Sequence, residues 1–308
     1  MKIFSGSSNI LLAGKIAKKL KIELSRLEIH IFPDEEKRIR VIDKVLGEDV
    51  VLVQSTSINA DKNYMELFFT IDALKRSGAK KVTAVVSYIG YAKQDHIFRT
   101  GEAVSMEVII NILEALGVDK LIVFDLHSSR IPELFKIPVL HLSALPIFAK
   151  TIKEKHWDGD ETVIVSPDRG GIRRVKILCG LLNNMPYIAI EKNRDLKSGK
   201  ISMEEIKEVT KKRAIIVDDM ISTGATIVKA AYLLSKKGAK EIFVFATHPV
   251  FSGNAPKLLQ ESRVEKVFVT DTIDVSRNKL FPKLEVLSVA EIIAKSIQNS
   301  KVKIQNYK

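Results

Sequence analysis

Short apolar runs alternate along the chain with segments in which apolar residues recur at helical spacing. The runs are rich in β-branched residues and almost continuously hydrophobic, which is typical of strands buried on both faces of a parallel sheet. They predict strands at Val50–Gln54, Val82–Ser87, Leu121–Asp125, Thr162–Ser166, Arg213–Val217, Glu241–Thr247 and Lys266–Thr270. The intervening segments predict helices, including Lys62–Ser77, Glu102–Leu116 and Thr226–Lys237. This order predicts an α/β fold with mainly parallel sheets flanked by helices.

One layout occurs twice, as KRSGAKKVTAVV at Lys75–Val86 and as SKKGAKEIFVFA at Ser235–Ala246. Each copy reads as a helix end, a Gly-Ala-Lys turn and a strand. Gly78 and Gly238 fit the position just after a helix C-cap, where glycine readily adopts a left-handed conformation. The repetition indicates two related domains, which meet where KEKHWDGDE interrupts the periodicity. We predict domains at residues 1–148 and 149–308, with the last helix packing back on the first domain.

Composition is that of a soluble globular protein. The chain has 308 residues, of which 46% are hydrophobic, and this is ample for packed cores. Its single cysteine, Cys179, excludes an intramolecular disulfide. The amino terminus lacks the apolar segment of a signal peptide, and no apolar stretch is long enough to span a membrane. A cytoplasmic protein without a membrane partner is expected.

The charge balance favours an anionic partner. The chain carries 49 basic and 37 acidic residues, for a formal net charge of +12. Its lysines are scattered along helices, however, and no known nucleic-acid-binding motif is evident. Phosphorylated small molecules are therefore expected as ligands, and nucleic acid is not.

The segment IIVDDMISTGATI, Ile215–Ile227, has the highest density of side chains that could bind a ligand. Asp218 and Asp219 follow a buried strand, and ligands of open α/β sheets bind at the carboxyl ends of strands. Their carboxylates can accept hydrogen bonds from vicinal hydroxyls, such as those of ribose. The small hydroxyl-rich residues that follow can wrap a phosphate at the positive end of the next helix. Ordinary helix capping would explain one or two of these residues, but not all of them.

Two amino-terminal segments are also rich in polar chemistry. In His30–Val41, a proline and three acids predict a turn between two strands. Taken alone, this segment predicts no more than the charged tip of a hairpin. Ser87–Glu102 follows a strand and precedes a helix, and its aromatic and polar side chains would suit a nucleobase.

Two further segments place acids after buried strands. In Val123–Arg130, strand alternation predicts that Asp125 and His127 share one face, within reach of a common ligand or metal ion. In Val163–Arg174, a Gly-Gly pair would permit close approach to a diphosphate, and Asp168 could hold a magnesium-bound water.

The motifs FPDEE, YAKQD, DLH, SPDRGG, EKNR and VDDMISTGATI stand in the order found in ribose-phosphate pyrophosphokinases, and the resemblance covers nearly the whole chain. It implies two phosphoribosyltransferase-like (type I) domains, Mg²⁺ as cofactor, and an ATP site contributed partly by a neighbouring subunit of a dimer or hexamer. It also implies the activity, which is transfer of the diphosphate of ATP to ribose 5-phosphate.

Matching the motifs residue by residue implies a role for each position. Lys192 and Arg194 would be catalytic, and His127 and Asp168 would bind metal. ATP would be bound by Phe32, Asp34, Glu36, Lys93, Gln94, Asp95 and Arg99. Ribose 5-phosphate would be bound by Asp218, Asp219, Ser222, Thr223, Gly224, Ala225 and Thr226.

Two other functions would account for part of the sequence. A plain phosphoribosyltransferase would explain the segment around Asp218, but not FPDEE, YAKQD and DLH. A non-catalytic regulatory paralogue would explain the fold, but the retention of Lys192, Arg194, His127 and Asp168 argues against it.

Overall fold

The computed structural model describes residues 1–128, 130–190, 209–210 and 212–299, and the backbone of 193–194 and 201–202. The chain forms two compact units. The first comprises Met1–Leu142, Thr272–Asp274 and Ser288–Lys308, and the second comprises Ser143–Asp271 and Val275–Leu287.

The strands and helices alternate in the order that the hydrophobic pattern predicts. The strands are β1 Lys2–Ser5, β2 Leu27–Ile31, β3 Lys37–Val41, β4 Asp49–Gln54, β5 Lys81–Val86, β6 Lys120–Phe124, β7 Val139–Leu142, β8 Thr162–Ser166, β9 Tyr187–Ala189, β10 Asn193–Arg194, β11 Ile201–Ser202, β12 Arg213–Ile221, β13 Glu241–Pro249, β14 Lys266–Thr270 and β15 Leu284–Leu287. The α-helices are α1 Ile10–Leu20, α2 Ala60–Arg76, α3 Ser105–Ala115, α4 Leu145–Glu154, α5 Ile172–Leu181, α6 Ala225–Lys236, α7 Ala255–Glu261 and α8 Ala290–Gln298.

Each unit is built on one parallel sheet. The first sheet has the order β1-β4-β5-β6-β7, and the second has the order β15-β14-β13-β12-β8-β9. Every ladder within these two sheets is parallel. Each unit also has an antiparallel hairpin, β2–β3 after α1 in the first and β10–β11 after α5 and β9 in the second. The predicted α/β fold with two mainly parallel sheets is confirmed.

The central strand of the second sheet shows why its sequence is continuously apolar. Ala214 and Ile216 of β12 enter one buried cluster, whereas Ile215 and Val217 enter the cluster on the opposite face. Successive side chains of a strand point to opposite faces, so a strand covered on both sides needs apolar residues at consecutive positions.

Strand β12 is longer than the predicted Arg213–Val217, because its ladder with β13 continues through Ile221. Asp218 and Asp219 therefore lie within the strand and not just after it. They still lie beyond the last pairing of β12 with its other neighbour β8, at Ile216. The two acids thus occupy a two-stranded extension at the carboxyl edge of the sheet.

Strand β6 ends at Phe124, one residue before the predicted end. Asp125 is buried with a φ of +29°, while His127 is exposed. The regular alternation from which a shared face was predicted therefore does not extend to Asp125 and His127, and their common ligand stays a prediction.

The two Gly-Ala-Lys turns have the same backbone structure. Gly78 and Gly238 adopt φ values of +85° and +82°. The N–H groups of Ala79 and Ala239 donate to carbonyls five residues earlier, at 3.1 and 3.0 Å, which closes both helices with a Schellman motif. The repeated sequence therefore encodes a repeated local structure.

The closing helix that follows each sheet belongs to the other unit. Helix α4 follows β7 in the chain but belongs to the second unit, where Phe148 shares a buried cluster with Leu178 of α5. Helix α8 follows β15 but belongs to the first unit, where it packs against α1. There Glu291 Oε2 lies 3.7 Å from Lys19 Nζ. Each half of the chain therefore supplies one helix to the other half.

Within the part of the chain that the structure describes, no helix combines the length and the apolar character required to cross a membrane.

Gly78→Ala should lower the free energy of unfolding by about 1 kcal/mol, because an L side chain is strained at this φ. The nearest atom to the added Cβ belongs to the exposed Leu46 side chain, which can move aside. Gly14→Ala is the matched control: it lies inside α1, its Cβ would meet no atom within 4 Å, and the change should stabilise by roughly 0.5–1 kcal/mol. Urea unfolding of both variants measures the difference, and equal effects would contradict this account.

Candidate functional site

Two adjacent carboxylates lie at the end of β12. Asp219 is buried and Asp218 is nearly so. Asp218 Oδ1 accepts a hydrogen bond from the Asp219 N–H at 2.9 Å, and Asp219 Oδ1 accepts one from the Met220 N–H at 3.0 Å. Local backbone donors thus fix the orientation of both carboxylates.

An arginine from α5 contacts both acids. Arg174 Nη1 lies 3.3 Å from Asp218 Oδ1, and Arg174 Nη2 lies 3.7 Å from Asp219 Oδ2. The sequence-based assignment did not include Arg174, although it ends the SPDRGGIRR segment. Its place in the first turn of the helix after that loop is the signal that could have identified it.

Burial and mutual repulsion oppose full ionisation of the acid pair. Burial and the charge of Asp219 raise the pKa of the Asp218 carboxyl to about 8, although Arg174 acts in the opposite direction. Two carboxyls this close titrate as a coupled pair that holds one proton. Hydroxyl groups that donate to both carboxylates would favour release of that proton.

The loop after the acids leads into an uncapped helix end. Gly224 is the N-cap residue of α6, at a φ of +78°, and among the described residues no side chain caps the helix there. Thr223 is exposed, and its Oγ1 accepts a long 3.5 Å hydrogen bond from the Ala225 N–H. The first-turn N–H groups and the helix dipole therefore form the kind of surface that binds a phosphate. Helix α6 begins at Ala225, one residue before the predicted start.

The chain that follows β13 supports this loop. The Phe251 N–H donates to the Ile221 carbonyl, and the Ser252 N–H donates to the Ser222 carbonyl, each at 2.9 Å. The hydroxyl oxygens of Ser222 and Ser252 lie 3.4 Å apart. Phe251 is fully buried at a φ of +46°, which bulky residues rarely adopt. Such backbone strain persists where surrounding contacts fix a functional loop.

The SPDRGG segment forms a tight loop between β8 and α5. The Ser166 hydroxyl donates to the Asp168 carbonyl at 2.6 Å, and Asp168 Oδ1 accepts a hydrogen bond from the Gly171 N–H at 3.3 Å. A Cβ on Gly171 would lie 2.5 Å from Ser166 Oγ. Glycine is therefore required at position 171, because a side chain there would collide with the Ser166 hydroxyl. At Gly170 an added Cβ would meet only Asp168 Oδ1, at 3.3 Å.

The FPDEE segment is the tip of the β2–β3 hairpin. The Phe32 N–H donates to the Glu36 carbonyl at 2.8 Å, and Asp34 Oδ1 accepts a hydrogen bond from the Glu36 N–H at 3.2 Å. Glu35 has a φ of +70°, the left-handed position of a three-residue hairpin loop. The Phe32 ring packs edge-on against His30, with centroids 4.7 Å apart. This partly exposed ring could stack on a base.

The YAKQD segment forms a loop that leads into α3. Lys93 and Gln94 are exposed, and Gln94 Oε1 accepts a hydrogen bond from the Ser105 hydroxyl at 2.6 Å. The Glu102 carboxylate accepts hydrogen bonds at 2.9 Å from the N–H groups of Phe98 and Arg99. Glu102 is therefore part of the loop, and α3 begins at Ser105 and not at the predicted Glu102.

Asp95 links this loop to the segment that contains His127. Partial burial acts to raise the pKa of the Asp95 carboxyl, but hydrogen bonds from Ser128 and His96 outweigh it and hold the pKa below its usual value. His96 Nδ1 lies 2.6 Å from Asp95 Oδ1. Asp95, which is predicted to bind ATP, thus accepts a hydrogen bond from Ser128, the residue after the predicted metal ligand His127.

A buried ion pair holds the hairpin against α2. Lys37 Nζ lies 2.5 Å from Glu66 Oε2, and Glu66 also accepts hydrogen bonds from Ser7 and Gln54. Burial acts to raise the pKa of Glu66, but the bonds from Lys37 and Ser7 dominate and lower it. Sequence reasoning missed this cluster, because its members are far apart in the chain.

The first turn of α2 contacts two segments assigned to ATP. Lys62 Nζ lies 2.7 Å from Glu35 Oε2 at the hairpin tip, and Asp61 accepts a hydrogen bond from the Tyr91 hydroxyl in the YAKQD loop. The fold therefore brings these two motifs to the same helix end. Within the described residues, no group of three or more His, Cys, Asp or Glu side chains could hold a metal ion.

The side chains of the predicted catalytic pair, Lys192 and Arg194, lie outside the part of the chain that the structure describes. Lys192 lies outside the described residues, and only the backbone of Arg194 is described, in β10 paired with Ile201 of β11. The catalytic roles of both residues stay predictions.

The chain is similar to known proteins over almost its whole length. Residues 1–117 match the N-terminal domain of ribose phosphate pyrophosphokinase, and residues 186–305 match the phosphoribosyl synthetase-associated domain. Ribose-phosphate pyrophosphokinase of Fusobacterium nucleatum is 40% identical over 297 residues, which cover 96% of this chain and 94% of that protein. Ribose-phosphate pyrophosphokinase 1 of Streptococcus pyogenes serotype M3 is 38% identical and is covered to 93%. The crystal structure of phosphoribosylpyrophosphate synthetase from Mycobacterium smegmatis matches with a TM-score of 0.90 at 34% identity, covering 96% of this chain and 97% of that one.

Asp218→Asn should change how thermal stability depends on pH. The pKa of Asp218 rises from 3.8, its usual value, to about 8 in the folded chain, so its contribution to stability is complete at low pH and is lost as the pH rises between these values. Asparagine cannot ionise and removes this loss. The difference in melting temperature, variant minus wild type, should therefore grow by several degrees from about pH 5 to about pH 9.

Asp160→Asn is the control, because Asp160 is an exposed carboxylate of the same unit. An equal pH response in both variants would contradict the assignment to the acid pair.

Proposed function

The chain belongs to the ribose-phosphate pyrophosphokinase family, and we propose that it transfers the diphosphate of ATP to the anomeric hydroxyl of ribose 5-phosphate, giving 5-phosphoribosyl 1-diphosphate and AMP. The anomeric oxygen attacks the β-phosphorus and loses its proton. The bond between that phosphorus and the oxygen bridging to the α-phosphate breaks, and AMP leaves with this oxygen.

The observation that carries the proposal is the Asp218–Asp219 pair followed at once by an uncapped helix. The carboxylates accept hydrogen bonds from two neighbouring sugar hydroxyls, and the N–H groups at the start of α6 receive the 5-phosphate. In this assignment Ser222, Thr223, Gly224, Ala225 and Thr226 form the phosphate loop. Both ends of one ribose phosphate are then held by a single strand–loop–helix segment.

ATP is assigned to residues of the first unit. The Phe32 ring offers a face for the adenine, and Lys93 and Arg99 offer charges for the phosphates. Gln94 and Asp95 orient the YAKQD loop through their bonds to Ser105 and Ser128. Asp34 and Glu36 shape the hairpin that carries Phe32.

Mg²⁺ is assigned to the Asp168 carboxylate and to His127. This ion usually takes one or two protein carboxylates and completes its coordination with phosphate oxygens and water, so a cluster of protein ligands is not required. His127 is the weaker of the two assignments, because imidazole suits transition metals better. When bound, the ion would neutralise charge on the transferred diphosphate.

Catalysis is assigned to Lys192 and Arg194. Phosphoryl transfer depends mainly on positioning and on neutralising the charge that develops on the phosphate oxygens, and no covalent enzyme intermediate is needed. We further propose that the protein is cytoplasmic and self-associates into dimers or hexamers, as the sequence resemblance implies.

A phosphorus NMR time course tests the activity directly. Purified protein is mixed with ribose 5-phosphate, ATP and Mg²⁺, and each component is omitted in turn. We expect AMP and a sugar diphosphate to appear only when all three are present. Intact ATP in a protein that binds both substrates would overturn the proposal and favour a non-catalytic paralogue.

Lys192→Ala should reduce turnover by roughly 10²–10³-fold or more while leaving substrate affinity and the melting temperature nearly unchanged, because the charge acts mainly in the transition state. Lys197→Ala removes a lysine from the same segment and serves as the control, with turnover close to that of the wild type. Steady-state rates and calorimetric binding constants separate the two effects. Near-normal turnover of Lys192→Ala would show that this lysine is not catalytic.

A further inference from the structure

Arg174 occupies an unusual position between two parts of the second unit. It belongs to the first turn of α5, directly after the SPDRGG loop, yet its guanidinium reaches the acid pair at the end of β12. Only 16% of its side chain is exposed. A Cβ on Gly171 would lie 3.6 Å from Arg174 Nη1, so the guanidinium also lies beside the loop backbone.

The geometry of a strand makes this double contact notable. Neighbouring residues of a regular strand direct their side chains to opposite faces. Asp218 and Asp219 are neighbours in β12, but Oδ1 of the first and Oδ2 of the second lie within 3.7 Å of one guanidinium. The ladder pairs Asp218 with Ala246 and resumes with Met220 opposite His248. The two carboxylates are therefore turned towards one common cation.

A planar guanidinium is suited to this task. Its two terminal nitrogens are held at a fixed separation, so it can contact two carboxylates simultaneously, which a lysine ammonium cannot do with the same geometry. The positive charge of the Arg174 guanidinium, whose two terminal nitrogens form a fork, also offsets the repulsion between the two partly buried acids. Both effects favour a pair of acceptors that is already oriented before a diol arrives.

We propose that Arg174 is a positioning residue for ribose 5-phosphate: its fork holds the Asp218 and Asp219 carboxylates in the shared orientation that two adjacent sugar hydroxyls require, and ties that orientation to the SPDRGG loop. The proposal rests on the function proposed above. Arg174 itself acts through the acids and does not need to touch the substrate.

Calorimetric titration with ribose 5-phosphate alone tests the proposal without turnover. We expect Arg174→Gln to weaken binding by about tenfold or more, since it removes a charge-assisted contact to each acceptor. Arg174→Lys keeps the charge but not the fork, and its affinity should lie between those of Arg174→Gln and the wild type. Lys176→Gln removes an exposed charge from the same helix and should bind like the wild type.

Steady-state kinetics and thermal melting complete the test. The KM for ribose 5-phosphate should rise in Arg174→Gln, with a smaller change in kcat and little change in the KM for ATP. A purely structural role would instead lower the melting temperature and leave the KM unchanged. Wild-type affinity in either Arg174 variant overturns the proposal, and the lysine variant decides alone if the glutamine variant fails to fold.

The proposed activity can fail separately from this inference. A wild type that binds ribose 5-phosphate but makes no sugar diphosphate would refute the activity and leave the binding comparison intact. A wild type that does not bind ribose 5-phosphate would refute both.

Discussion

The burial of two adjacent acids at the end of β12 is the constraint on which the second unit's site depends. Two carboxyls in contact repel each other when both are ionised, and partial removal from water makes this worse. The protein compensates with the backbone N–H groups of Asp219 and Met220 and with Arg174, and the pKa of Asp218 is raised. The result is a pair of acceptors held ready beside an uncapped helix end. A regular buried strand could not tolerate such a pair without these partners.

The rest of the unit keeps that arrangement rigid. The β12–β13 ladder extends past its neighbours and so carries the acids beyond the edge of β8. The N–H groups of Phe251 and Ser252 continue this contact to Ile221 and Ser222, at the start of the proposed phosphate loop. The close approach of Ser166 to Gly171 fixes the start of α5, and therefore the point from which Arg174 reaches the acids. The ladder and the turn contacts join residues that are distant in the chain, whereas the contact of Ser166 with Gly171 is local.

The duplicated architecture gives the first unit the same strand–loop–helix positions with different contents. There Ser7 and Ser8, which follow β1, bond to the buried Glu66 and to Gln54 at the end of β4, and Glu66 is paired with Lys37 of the hairpin. These five side chains form one connected polar cluster inside the protein. The equivalent strand of the second unit, β12, instead carries the Asp218–Asp219 pair, in which the pKa of Asp218 is raised. The same position of the fold therefore holds a closed polar cluster in one unit and an acid pair in the other.

The sequence by itself determined the local features of this protein. Apolar runs such as Thr162–Ser166 are buried on both sheet faces, and glycine after a helix end favours a left-handed turn, so the long central strands, the Gly78 and Gly238 turns and the mainly parallel sheets could be predicted. The order of motifs identified the family. Only the tertiary structure decided that β12 continues through its acids, that β6 stops before Asp125, and that α4 and α8 each pack in the other half's unit. It also decided that Arg174 contacts the acid pair and that Glu66 pairs with Lys37. These outcomes depend on ladder pairing and on contacts between residues far apart in the chain, and no local pattern encodes which distant side chain will meet a given carboxylate.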